Sequence, residues 1–164
     1  MKSLRDRQHA VNTSGDIRER TAAGDAFSAL AILILRGAGH LAAAGDDLAR
    51  PSGQTSARWQ VLAAAENQPV PVAQIARALG LARQSVQRIA DVLVQEGLAK
   101  YQENPAHRRA KLLWLLPKGR AALRAIQAAQ QPWADRLGAE IGETDLRRAS
   151  AILQRLLRAL AETE

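Results

Sequence analysis

The sequence contains no cysteine, and aromatic residues make up only 3% of its 164 residues. The absence of cysteine excludes disulfides, thiolate metal sites and thiol-based redox switches. Because aromatic side chains are scarce, alanine and leucine must fill the core, and both residues favour helices. No uninterrupted apolar run approaches the roughly 20 residues that span a bilayer, and the N-terminal segment lacks the apolar stretch of a signal peptide. We therefore expect a soluble, cytoplasmic, mainly helical protein without a membrane partner.

Positive charge is unevenly distributed along the chain. The formal net charge is +7, of which residues 82–120 contribute +5 and residues 1–20 contribute +2. The segments 21–81 and 121–164 each carry equal numbers of acidic and basic residues. A basic segment between two neutral ones is typical of a surface that binds a polyanion, although a basic surface that is merely solvated is the alternative.

The periodicity of apolar residues predicts a mainly α fold with a small β-wing. Residues 1–22 lack this periodicity and are expected to form a flexible tail, whereas residues 23–164 are expected to form a single domain. The first helix is expected at about 25–48, and the second is expected to begin at Thr55 or Ser56. Two further helices are expected at 72–79 and 83–96, ended by Gly80 and Gly97.

In the second half of the chain, the spacing of apolar residues changes from helix-like to strand-like and back again. Two strand-like runs, 98–103 and 111–116, flank a basic loop and predict a β-hairpin. Pro117 suits the first turn of a long fifth helix, which Pro132 is expected to kink or break. Thr144 is expected to cap a last helix with a coiled-coil-like seam, formed by Leu146, Ala149, Leu153, Leu156 and Leu160.

The helices at 72–79 and 83–96, joined through Gly80, predict a helix-turn-helix, whose second helix enters the DNA major groove. The polar side of that second helix carries groups that can read base edges or contact phosphates. These DNA-binding candidates are Arg83, Gln84, Ser85, Gln87 and Arg88. An ordinary solvated helix face is the alternative, but such faces more often carry glutamate and lysine.

The hairpin that follows carries Arg108 and Arg109 at its tip, and Lys111 lies just after them. Paired arginines on a narrow ribbon suit a minor groove, while Lys111 is a candidate for phosphate contact. A basic hairpin alone is weak evidence, but directly behind a helix-turn-helix it is interpreted as a wing.

With these motifs, the segment from TSARWQVLAAAENQPV through RQSVQRI to the wing NPAHRRAKLLWLLPKG resembles the core of the MarR-type (multiple antibiotic resistance regulator) transcriptional regulators. The resemblance extends over roughly residues 25–160. It implies a dimeric repressor whose first and last helices interlock and which often releases DNA on binding a small aromatic or phenolic effector. Three positions depart from the family pattern: His107 replaces an acid in the wing, and Ala82 and Leu116 stand where capping hydroxyls are common.

Other candidate sites are weaker. The three histidines, His9, His40 and His107, have no paired-ligand spacing, so no metal site is expected. The sequence shows no catalytic constellation and no cofactor motif, and we expect no enzyme activity. Trp59 is interpreted first as a core or interface residue. Together with His40 it is also a candidate for an effector pocket between the first helix and the DNA-binding lobe, where the resembling family binds its ligand.

The sequence thus predicts a sequence-specific regulator of double-stranded DNA, acting as a ligand-responsive repressor on a pseudo-palindromic operator. Residues 55–116 are expected to form the winged-helix lobe, and residues 23–50 with 117–162 the dimerisation lobe of a homodimer. Two alternatives stay open at this point. One is a winged-helix adaptor that binds protein instead of DNA, and the other is an enzyme on a helical scaffold.

Overall fold

The computed structural model describes residues 20–105 and 110–162. Six helices, one short 3₁₀ turn and three short strands follow one another in this part of the chain. They are α1 (Ala22–Ala49), the 3₁₀ turn (Arg50–Ser52), α2 (Ser56–Ala64), β1 (Val70–Pro71), α3 (Val72–Leu79), α4 (Arg83–Gln95), β2 (Ala99–Gln102), β3 (Leu112–Leu115), α5 (Pro117–Ile141) and α6 (Glu143–Ala161). The expected mainly α fold with a small β-wing is therefore confirmed.

The part of the chain that the structure describes divides into two units, with the boundary between Gly39 and His40. The described part of the first unit is residues 20–39, which supply most of α1. The second unit contains the hydrophobic core and the candidate site. The expected tail at residues 1–22 lies outside the described residues except for its last three.

The local sequence explains where the helices of the second unit begin and end. Thr55 caps α2, because its side chain accepts a hydrogen bond from the Arg58 backbone N–H. Gly80 ends α3 in the left-handed conformation, with φ of 63°. Pro117 opens α5, where its missing N–H costs nothing.

The three strands form an antiparallel sheet in the order β1-β3-β2. Tyr101 of β2 lies opposite Leu113 of β3, and Val70 of β1 lies opposite Leu113 on its other side. The sequence did not predict β1, because it has two residues and one of them is a proline. Pro71 cannot donate to a ladder, which restricts such a strand to the edge of the sheet.

The core lies between α2, α3, α4, the sheet and the first half of α5. Its largest fully buried side chains are mostly leucine, isoleucine and valine, as the shortage of aromatic residues requires. They are Val61, Leu62, Ile75, Val86, Leu93, Leu98, Leu113, Leu115, Leu123 and Ile126. This core fixes the positions of α4 and the hairpin relative to each other.

Two expectations from the sequence need correction. Thr144 does not cap the last helix, since Gly142 takes the N-cap position and α6 begins at Glu143. Pro132 does not break α5, which is continuous from Pro117 to Ile141. Both Pro132 and Ala128, the residue four positions earlier, are exposed, so water can satisfy the carbonyl that proline leaves without a partner.

Helix α1 is unusually apolar. The helical span Ala22–Ser52 contains an 18-residue window with a mean hydropathy of 1.6, so it is long and apolar enough to cross a membrane by length and composition alone. Between Asp25 and Asp46 the only charged residue is Arg36, and most of the other residues are alanine, leucine, isoleucine or glycine. The core helix of a soluble protein meets the same criteria of length and composition.

Candidate nucleic-acid interface

The turn between α3 and α4 is set by the end of α3. The Gly80 N–H donates to the carbonyls of Ala76 and Arg77, and the Leu81 N–H donates to Ala76 over 2.9 Å. The left-handed conformation at Gly80 then sends the chain into α4 after two further residues. Ala82 is the N-cap of α4 and makes no side-chain capping bond, as its lack of a hydroxyl dictates. The expected helix-turn-helix is confirmed.

Helix α4 has one buried and one exposed face. Val86, Ala90 and Leu93 are buried in the core. Arg83, Gln84, Ser85 and Arg88 are exposed in the first two turns. Within the described residues, neither Arg83 nor Arg88 forms an ion pair, whereas Arg50, Arg58, Arg147 and Arg148 do. The N-terminal half of α4 therefore presents uncompensated positive charge to solvent.

Gln87 differs from its neighbours because its side chain is hydrogen-bonded to the hairpin. Its Nε2 atom donates to Asp91 Oδ1 over 2.9 Å and to the Tyr101 hydroxyl over 2.7 Å. The Tyr101 hydroxyl in turn donates to Asp91 Oδ1 over 2.7 Å. Partial burial raises the pKa of Tyr101, and the hydrogen bond to Asp91 and the charge of Asp91 raise it further. The tyrosine is consequently neutral at physiological pH and joins β2 to α4.

A cavity of about 290 Å³ lies beside this cluster, between the start of α3, α4 and the hairpin. It is lined by Pro71, Val72, Ala73, Arg83, Gln87, Tyr101, Ala110 and Lys111. Lys111 is exposed at its edge, next to the start of β3. Arg83 of α4 and Lys111 of the hairpin base thus lie around one concave surface.

The far end of α4 is attached to two other helices. Arg58 of α2 donates to both carboxylate oxygens of Glu96, over 2.8 and 3.1 Å. Lys118 of α5 donates to the Glu96 backbone carbonyl over 2.9 Å. Because Glu96 is the C-cap of α4, these contacts fix the helix at the end opposite its exposed arginines.

Comparison with known proteins agrees with this geometry. The family model described as "MarR family" matches residues 52–110. An uncharacterized protein of Mycobacterium tuberculosis is 39% identical over 123 residues, which cover 75% of this chain and 86% of that protein. The M. tuberculosis transcriptional regulator MosR, solved in complex with DNA, is 27% identical, with a TM-score of 0.67 over 79% of this chain and 96% of MosR.

The chain belongs to the MarR family. A further structural neighbour, CouR from Rhodococcus jostii RHA1 bound to p-coumaroyl-CoA, shares the fold at 24% identity, with a TM-score of 0.70 over 77% of this chain and 90% of CouR. As a MarR-family protein, the chain is a DNA-binding transcriptional regulator and not an enzyme.

The structure brings together only some of the residues that the sequence singled out for a MarR-family site. Arg83, Gln84, Ser85, Gln87 and Arg88 share the first half of α4, and Lys111 lies near Arg83 and Gln87 around the cavity. Arg108, Arg109 and His107 lie in the segment 106–109, outside the described residues. Their assignment to the wing tip stays a prediction.

The two effector-pocket candidates lie in different surroundings. Trp59 is half-buried and packs against the hydrophobic core, whereas His40 is exposed on α1. Neither side chain lines the cavity of about 290 Å³ beside Gln87 and Tyr101. No group of three histidine, aspartate or glutamate side chains that could hold a metal occurs among the described residues.

Sequence reasoning missed Asp91 and Tyr101 as parts of the MarR-family site. Asp91 could have been found, because residues four apart on a helix are neighbours and an amide pairs well with a carboxylate there. Tyr101 is 14 residues from Gln87, so only the register of the hairpin against α4 brings its hydroxyl into reach.

Proposed function

We propose that this MarR-family protein is a repressor that binds a pseudo-palindromic operator as a homodimer. The observation that carries the proposal is the exposed, uncompensated cationic face of α4, with Arg83, Gln84 and Arg88. This face directly follows a helix-turn-helix turn, which favours DNA binding over an adaptor that binds protein.

The dimensions of α4 suit the major groove. An α-helix with its side chains is about 10–12 Å in diameter, which fits a groove about 12 Å wide, and the 13 residues of α4 provide about 20 Å of helix along it. An arginine can donate two hydrogen bonds to guanine O6 and N7, and a glutamine can pair with adenine. We assign base reading to Arg83, Gln84, Gln87 and Arg88, and phosphate contact to Ser85 and Lys111.

We assign Arg108 and Arg109 to the minor groove beside the half-site. The paired strands β2 and β3 support this assignment, because they form the base of a hairpin whose tip carries both arginines in sequence. A narrow minor groove has an enhanced negative potential that attracts guanidinium groups.

Exposed apolar side chains support a homodimer. On α6, Ile152 is 54% exposed and Leu157 is 66% exposed, and on α1 Leu35 is 74% exposed. Exposed apolar surface on this scale marks an interaction site on a soluble protein. A second copy is the occupant we propose, and two-fold symmetry then places the two α4 helices on half-sites about one helical turn apart. Covering α1 in this way also accounts for its apolar composition in a cytoplasmic protein.

A small aromatic effector is proposed to release the DNA. The support is the fold shared with CouR, which was solved bound to p-coumaroyl-CoA. His40 and Trp59 remain our candidates for contact with it. Titration with aromatic acids while monitoring tryptophan fluorescence tests this part, and the absence of any quenching by any of them would count against it.

DNA binding is tested by selecting bound fragments from genomic DNA and measuring affinity by fluorescence anisotropy at several salt concentrations. Arg83→Ala/Arg88→Ala is expected to reduce affinity by at least about a hundredfold, since each good bidentate pair contributes about 1–3 kcal/mol. Arg124→Ala/Arg136→Ala is the matched control, because it removes the same charge from exposed positions on α5. Equal losses in both variants would refute base reading by α4.

The dimer is tested separately by sedimentation. The native protein is expected to sediment as a dimer, and Leu153→Lys/Leu157→Lys on α6 is expected to produce a monomer. A native protein that is monomeric at micromolar concentration would refute the homodimer.

A further inference from the structure

The orientation of the Gln87 amide is determined by what surrounds it. A carboxylate only accepts hydrogen bonds, so Asp91 Oδ1 requires a donor from each neighbour. The Tyr101 hydroxyl has one proton and directs it to Asp91, which leaves its oxygen to accept from Gln87. Reversing the amide would place Gln87 Oε1 beside two acceptor oxygens at the positions where Nε2 now lies, 2.9 and 2.7 Å away. The nitrogen of Gln87 therefore faces Asp91 and Tyr101.

The opposite side of the amide is its carbonyl oxygen. Gln87 lines a surface concavity together with Arg83, Gln84 and Arg88, the exposed residues of the same helix. With the nitrogen directed at the hairpin, Gln87 offers a hydrogen-bond acceptor to a molecule seated in this concavity. In the major groove, adenine N6 and cytosine N4 are amino donors, whereas guanine O6 and N7 and thymine O4 are acceptors. An acceptor on the protein thus selects bases that carry an exocyclic amino group.

We propose that Asp91 and Tyr101 are positioning residues for specificity, which orient Gln87 so that its carbonyl oxygen accepts from the exocyclic amino group of an adenine or cytosine in the operator. This inference rests on the proposed function, since it requires α4 to lie in the major groove. It assigns to the hairpin a role in reading sequence, exerted through Tyr101 on α4, in addition to any contact that its tip makes.

The test measures base preference, which a purely structural role of Tyr101 would not change. Affinities are measured by anisotropy for operators that carry each of the four bases at each half-site position. The proteins are native, Gln87→Ala, Tyr101→Phe and Asp91→Ala/Tyr101→Phe. Gln95→Ala is the control, because Gln95 is exposed at the other end of α4. Melting curves establish that each variant is folded.

The native protein is expected to prefer adenine or cytosine at one position by about tenfold over guanine or thymine. Gln87→Ala is expected to lose this preference at that position alone, and Gln95→Ala to retain it. In Asp91→Ala/Tyr101→Phe the amide is free to reverse and to donate to guanine or thymine, so the preference is expected to disappear although Gln87 is present. Tyr101→Phe removes a single oxygen, and its base preference is expected to lie between those of the native protein and the double variant. The base that the native protein prefers shows whether Gln87 contacts an adenine or a cytosine.

A Gln87-dependent preference for guanine or thymine would overturn the inference. An unchanged preference in Asp91→Ala/Tyr101→Phe would also overturn it. If this double variant does not fold, an unchanged preference in Tyr101→Phe would overturn the inference instead. If the native protein binds no duplex with sequence preference, the proposed function is refuted and this inference with it.

Discussion

The close approach of α5 to the start of β2 leads to a sharp prediction for Gly119→Ala. A Cβ atom at Gly119 would lie 2.1 Å from the carbonyl oxygen of Leu98 and 3.0 Å from its carbonyl carbon. Non-bonded heavy atoms normally approach to about 3.5 Å, so the helix and the strand must separate locally by more than 1 Å. Both atoms belong to the backbone of Leu98, whose side chain is buried, so neither can rotate away.

The cost of this substitution can be worked out from its parts. Forcing a methyl group into a packed contact costs about 1–3 kcal/mol. Separation also lengthens the 3.0 Å hydrogen bond from the Leu116 N–H to the Leu98 carbonyl, which contributes about 1 kcal/mol. The higher helix propensity of alanine returns at most about 1 kcal/mol. We expect a net loss of about 1–3 kcal/mol in the free energy of unfolding and a drop in Tm of roughly 3–10 °C.

Urea denaturation followed by circular dichroism measures this loss at fixed protein concentration, and Gly138→Ala is the matched control. Gly138 lies on the same helix, and a Cβ added there meets nothing within 4 Å. We expect this variant to be as stable as the native protein or up to about 1 kcal/mol more stable. If Gly119→Ala is as stable as the native protein, or if both variants lose the same amount, the reasoning from the Leu98 contact is refuted.

Three further predictions follow from other contacts. Because the pKa of Tyr101 is raised above its ordinary value of 10.0, the folded state keeps a proton that the unfolded state loses. The free energy of unfolding should therefore fall as pH rises above 10.0, and it should fall less in Tyr101→Phe than in the native protein. Equal slopes in alkaline denaturation would contradict this. Arg58→Ala should cost about 1 kcal/mol by removing the two-oxygen contact with Glu96, and less in high salt; a salt-independent loss would argue against an ionic origin. Gly45→Ala should cost about 1–3 kcal/mol, since its Cβ would lie 2.6 Å from Ser56 Oγ, and adding Ser56→Gly should recover most of it; thermal melts without recovery would refute the clash.

The sequence was most informative where glycine and proline mark the ends of elements. Helix α3 has the expected bounds, because its apolar spacing is short and regular and Gly80 can adopt the left-handed conformation. The start of α5 follows in the same way from the fixed φ of Pro117. These features depend on a few neighbouring residues, so they can be predicted without knowledge of the tertiary structure.

Features that depend on distant residues could not be predicted in this way. Strand β1 exists because β3 lies beside it, and a two-residue segment that contains a proline is too short to show the alternation of a strand. Thr144 has a good capping side chain, but Gly142, with φ of 91°, takes the N-cap position two residues earlier. The same holds for the candidate site. The exposed residues of α4 could be predicted from its apolar periodicity. The hydrogen bond between Gln87 and Tyr101 could not, because it depends on how the hairpin packs against α4.

The connection between the sheet and α5 has a mechanical consequence. A single residue, Leu116, separates β3 from α5, and Pro117 restricts the backbone immediately after it. The central strand of the sheet is therefore joined to a 25-residue helix without any slack segment. A tilt of α5 must therefore displace β3, and with it both neighbouring strands. Helix α5 and the sheet cannot move independently of each other.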